Sequence, residues 1–201
     1  MASPYVHERQ SEYWTSRQIE EFFLDAGYEI LVFPLTQYNE KLVPTDFIFF
    51  DKQHSKLFGF QYKAIYHEGK QEYWPLDKMQ HENLGSYPWI YYSLSELRRA
   101  SEFRAALHQV RILETAFPYQ EKLYPKGKEK IVYYSRWAAF YEGLVQCPKG
   151  VLVHSVQELT KFLKPKENVE LPWELTKSLV DVFVADIASK NVVHLSPFLR
   201  E

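Results

Sequence analysis

The chain has 201 residues, of which 46% are hydrophobic and 25% charged, with a formal net charge of −2 and an isoelectric point near 6.4. These proportions are ordinary for a globular protein, with length enough for one sizeable domain or a core with an appended subdomain. The mild acidity excludes a histone-like binder, so nucleic-acid contact would have to come from a local basic patch.

A lone cysteine, Cys147, rules out an internal disulfide and suits a reducing cytosol. The segment Met1 to Arg9 shows no apolar signal core, and no apolar run approaches the length of a membrane span. A cytoplasmic protein without membrane contact is therefore expected. The 15 Tyr, 14 Phe and 5 Trp read first as a core filled by large rings.

In chain order, residues 11–26 predict an amphipathic helix, with Ile19, Phe22, Phe23 and Ala26 on one face, Ser11 as N-cap and Gly27 as the C-terminal stop. A strand over Tyr28 to Phe33 follows, then a loop through Gln37 to Glu40. Two strands come next, Val43 to Phe50 and Leu57 to Ile65, around the polar turn Asp51 to Lys56. If this turn is symmetric about Gln53 and His54, Asp46 stands directly opposite Gln61. Gln61 and Lys63, two residues apart, point to one face. A carboxylate, an amide and an ammonium would then share one patch of sheet. Such a patch can hold a hard divalent cation beside a phosphate.

Further along, a polar stretch from His67 to Asp77 leads to a short helix over Lys78 to Leu84 and an apolar strand over Trp89 to Leu94. His67, Glu68, Gln80 and His81 read as surface residues. Residues 96–114 predict one helix, with Leu97, Ala100, Phe103, Leu107 and Val110 on its apolar face. The loop from Pro118 to Lys130 carries Lys122, Lys126, Lys128 and Lys130. Of these, Lys126, Lys128 and Lys130 are candidate phosphate contacts, against the plainer reading of a solvated loop. Beyond it the sequence predicts a strand over Ile131 to Tyr134 and a helix from Ser135 to Val145. A strand over Gly150 to His154 and a helix opened by Ser155 and Glu158 follow. A last helix starts near Pro172.

The tripeptide Pro44-Thr45-Asp46 followed by Gln61-Tyr62-Lys63 on the next strand resembles the PD-(D/E)XK nucleases, and Gln61 in place of an acidic residue resembles their Mrr-like members. The resemblance covers roughly residues 10–95. It implies an α/β fold, with a restriction-endonuclease-like αβββαβ core, a mixed central sheet and a mostly helical C-terminal extension. The core would span 1–115, with 116–201 as an α/β extension packed on it in one compact unit. The implied activity is Mg²⁺- or Mn²⁺-dependent hydrolysis of DNA phosphodiesters, in foreign-DNA defence or repair.

Asp46, Gln61 and the backbone carbonyl of Tyr62 are the implied metal ligands. Lys63 would orient the attacking water or neutralise charge at phosphorus. Relatives carry an acidic residue on the first helix where this chain has Ser16. Among the nearby acids, Glu12 lies closest to the apolar face and is the expected third acidic contributor, with Glu20 at the border. A homodimer or an additional subunit would supply targeting. The alternative is a nuclease-like fold that has lost catalysis and binds nucleic acid or a protein partner; Ser16 supports it.

Overall fold

The computed structural model describes residues 3–35, 43–125, 134–146 and 148–163. The chain divides into two compact units, Met1–Leu152 and Val153–Glu201. In the second, helix α4 (Val156–Leu163) is opened by Ser155, whose Oγ accepts from the Glu158 N–H at 3.2 Å. The expectations for 36–42, 126–133, Cys147 and the last helix lie outside the described residues.

The first unit starts with a short strand β1 (Ser3–Pro4) and helix α1 (Glu8–Asp25). Ser11 is not its N-cap: the helix begins one turn earlier, after His7, and Ser11 is buried inside it. The stop is where the sequence places it. Gly27 has φ 76°, Gly27 N–H donates to Leu24 O and Tyr28 N–H to Phe23 O, the paired bonds of a Schellman end that favours glycine.

Strands β2 (Ile30–Pro34), β3 (Phe47–Asp51) and β4 (Lys56–Lys63) form an antiparallel meander. Asp51 and Lys56 belong to the strands, so the turn is Lys52 to Ser55, with Ser55 at φ 53°. The pairs Phe47 with Phe60 and Asp51 with Lys56 set the register expected from the sequence. Helix α2 (Lys78–Leu84), capped by the Asp77 carboxylate, leads to β7 (Ile90–Ser95), which lies parallel to β4.

Two expectations fail here. The polar stretch after β4 is a hairpin, β5 (Tyr66–Glu68) and β6 (Gln71–Pro75), turning at Gly69 with φ 61°. The single helix over 96–114 is instead a 3-10 helix, Ala100–Gln109, and a strand, β8 (Val110–Glu114), antiparallel to β7. Val110, Ile112 and Leu113 are buried in β8, and pairing with β7 outweighs the helical spacing of Leu107 and Val110.

The remaining elements are β9 (Lys122–Leu123), β10 (Tyr134–Ser135), helix α3 (Trp137–Val145) and β11 (Val151–Leu152). One sheet runs β10-β8-β7-β4-β3-β2, with β11 also paired to β4; the other runs β1-β5-β6-β9. The fold is thus α/β with a mixed sheet. Its main core holds Ile19 and Phe23 of α1, Phe49, Phe58, Phe60 and Tyr62 of the hairpin, and Trp137, Phe140 and Leu144 of α3. Most of these rings meet edge to face, as their quadrupoles favour. Among the described residues no helix is long and apolar enough to cross a membrane.

Candidate active site

Asp46 enters β3 from Pro44 and Thr45 and is fixed at the backbone on both sides. Its N–H donates to Phe60 O at 3.0 Å, and its carbonyl accepts from Leu35 N–H at 2.8 Å. The carboxylate then turns toward β4. Oδ2 accepts from Tyr62 N–H at 2.6 Å and from Gln61 Nε2 at 2.8 Å. Both side chains are almost fully buried, Asp46 at 8% and Gln61 at 2% exposure.

Close approach of the strands here depends on Gly59. A Cβ at that position would meet Thr45 Oγ1 and the Trp89 ring at 3.0 Å and Phe47 O at 3.2 Å. Any larger residue would push away the segment that delivers Asp46.

Gln61 is oriented by its partner: only its NH₂ can face a carboxylate, so its Oε1 points away. That oxygen is buried and has no hydrogen-bond partner. A buried, unpaired amide carbonyl costs about 1–3 kcal/mol unless something supplies positive charge or a proton to it. Beside an anionic oxygen of Asp46, it is the kind of donor a hard cation accepts. Asp46 and Gln61 are oxygen donors of the type that the implied Mg²⁺ or Mn²⁺ takes, and with Nε2 on Asp46 the Gln61 amide must turn over before both oxygens hold one ion, with the Tyr62 carbonyl as the implied backbone ligand. Among the described residues, His, Cys, Asp and Glu side chains form no group of three or more around a common point.

Lys63 follows two residues beyond Gln61, its side chain only 12% exposed, with Nζ 3.9 Å from Glu8 Oε1. The other oxygen of Glu8 accepts from Ala64 N–H at 3.2 Å. Glu8 is the carboxylate of α1 that meets the end of β4. Setting the helix start at Ser11 hid it, although it lies one turn before Glu12 on the same stripe.

Glu12 is half-buried, and its charge acts on the Tyr62 phenol. Burial holds that phenol well above the usual tyrosine range; the hydrogen bond from Ser16 opposes this, while the charges of Asp46 and Glu12 add to it. Ser16 Oγ and Tyr62 OH are 2.8 Å apart, both buried. At the place where the resemblance leads one to expect an acid, Ser16 instead satisfies a buried phenol. Glu20 is exposed.

Of the other sequence candidates, Lys126, Lys128 and Lys130 lie outside the described residues. His81 is not a surface residue: it is 5% exposed, its Nε2 donates to Phe117 O at 2.8 Å, and its Nδ1 accepts from Tyr92 OH at 3.2 Å. The carbonyl partner fixes which nitrogen carries the proton. His67 is half-buried and bonds Ser3 Oγ at 3.2 Å.

No family model, no curated protein and no solved structure matches the chain.

Proposed function

We propose that the chain is a metal-dependent nuclease acting on DNA phosphodiesters, with a restriction-endonuclease-like core. The observation that carries this reading is the buried pair Asp46 and Gln61, with the unpartnered Gln61 Oε1 and Lys63 two residues on. The order around it supports the reading: a helix, three antiparallel strands and, after the inserted β5–β6 hairpin, a helix and a strand parallel to the third.

Asp46 and Gln61 would hold the cation, whose chemistry when bound is to polarise the scissile phosphate and make water a stronger acid. The Tyr62 N–H and Gln61 Nε2 fix the Asp46 carboxylate through Oδ2, and the Gln61 amide would turn its Oε1 toward the ion as the cation enters. Lys63 would offer its ammonium to a phosphate oxygen and offset charge that grows there. Glu8, 3.9 Å from Nζ, would steady Lys63. Burial keeps bulk water from the carboxylate and strengthens each of these interactions.

The test is incubation of plasmid, linear duplex, single-stranded DNA and RNA with Mg²⁺ or Mn²⁺. Cation-dependent cleavage supports the reading and names the substrate; no cleavage of any substrate with either ion contradicts it. One observation favours the second reading, a nuclease-like fold that only binds: Ser16 is committed to Tyr62. Binding without cleavage in the same panel would select it.

A further inference from the structure

The second sheet carries a row of tyrosines that starts at the candidate site. Tyr66 of β5 is the cross-strand partner of Tyr73 of β6, their rings stacked with centroids 6.2 Å apart. Tyr124, just after β9, continues the row with its ring 6.3 Å from Tyr73. Tyr73 is buried beneath the Lys122 ammonium, 4.3 Å from its ring centroid. Tyr66 is half-buried and Tyr124 is 41% exposed.

The row begins three residues beyond Lys63, at the first residue of β5. Ala64, between Lys63 and Tyr66, gives its N–H to the Glu8 carboxylate, and burial, then the Glu8 charge, push the Tyr66 phenol upward.

We propose that this row is a stacking platform that leads a single-stranded nucleic acid toward Asp46 and Lys63. The inference rests on the nuclease reading for its destination, not for its binding chemistry. Half-buried Tyr66 and exposed Tyr124, at the two ends of the row, would offer ring surface to bases of one strand, which stack on aromatic side chains without regard to sequence. A duplex keeps its bases stacked inside and cannot use such a surface. Lys122 lies along the row and would meet the backbone. It is now held by Glu68, at 3.2 Å, so a phosphate must displace that carboxylate. In this mildly acidic chain, Glu68 would set the affinity by competing for the Lys122 ammonium over the row.

The experiment is fluorescence anisotropy of labelled single-stranded DNA, single-stranded RNA and duplex DNA with the full chain in a chelator, so that nothing is cut. Wild type is expected to bind single strands more tightly than duplex, the DNA and RNA arms naming the preferred sugar. Tyr124→Leu and Tyr66→Leu keep apolar bulk and remove the stacking face; each should weaken single-strand binding about tenfold. Glu68→Gln should tighten it by releasing Lys122, which a purely structural Glu68–Lys122 pair would not do. Circular dichroism confirms that the variants fold.

Equal or tighter duplex binding, or wild-type affinity in both tyrosine variants, overturns the platform. So does a wild-type dimer that Tyr124→Leu separates while no nucleic acid binds, since the row would then be a contact between copies. Asp46→Ala serves to separate the two readings. Should wild type cut nothing yet bind single strands through Tyr124, the nuclease reading falls and the platform stands. Should it cut single strands equally well with and without Tyr124, the platform falls alone.

Discussion

Gln61 donates to Asp46 at 2.8 Å while its own carbonyl oxygen is buried with nothing to accept from. The pair is thus half satisfied, and the unsatisfied half is an oxygen. Gln61→Glu places a second carboxylate in the same buried spot. Without cation, the repulsion should cost roughly 2 kcal/mol of stability. With Mn²⁺ the order reverses, because the added charge favours the ion, and binding should tighten about tenfold. Calorimetric titration and melting curves read both effects. Equal or weaker Mn²⁺ binding by Gln61→Glu would count against a cation site here.

The bond between Ser16 and Tyr62 predicts a double-mutant cycle. Ser16→Ala or Tyr62→Phe alone strands one buried hydroxyl and should cost about 1–2 kcal/mol. The double variant removes both groups, so it should cost less than the sum of the single changes. Additive costs, measured by urea unfolding, would show that the two hydroxyls do not bond.

How far this site was legible follows from its residues. The register was open to reading, because the polar turn centred on Gln53 and His54 sets Asp46 against Gln61. The partner on α1 was not. Ser11 is an attractive cap by type, and placing the start there left Glu8 outside the helix, although Glu8 begins the stripe that Glu12 and Ser16 continue. The second sheet was hidden for another reason. Its strands around Gly69 are short and carry Glu68, Gln71 and Glu72, so their composition resembles a loop; only Gly69 and the flanking Tyr66, Tyr73 and Trp74 signal a hairpin. In Val110 to Glu114, helical spacing and β-branched residues conflict, and the free edge of β7 decides between them.

Glu8 supplies a further prediction. Glu8→Gln keeps an acceptor for Ala64 N–H, so stability should change by less than about 0.5 kcal/mol, as for a half-exposed pair. Its carboxylate no longer holds Lys63, and kcat should fall about tenfold with KM little changed, the pattern of a group that acts mainly in the transition state. An unchanged kcat would make the contact structural only.

Buried phenols predict how stability depends on pH. Burial pushes Tyr87 up to about 12 and holds Tyr91 and Tyr92 above their ordinary value. Unfolded, these phenols lose protons near pH ~10, before the folded ones do. Above that point the unfolded chain binds fewer protons than the native one, so stability falls as pH rises. Stability should be fully present below about pH 10 and decline steadily above it, with a shallower decline in Tyr87→Phe. Urea unfolding across this range reads the slope, and a flat profile would contradict the burial of these groups.

The central claim is that Asp46 carries a cation-dependent cleavage. The most direct measurement is cleavage of a labelled substrate panel with Mn²⁺ by wild type, Asp46→Asn and Lys63→Met, purified side by side. Asp46→Asn keeps an acceptor for Tyr62 N–H and Gln61, so the fold should persist while the charge is lost. The account predicts cleavage by wild type and a loss of at least about a hundredfold in each variant. Cleavage that survives in Asp46→Asn at the wild-type rate would contradict it.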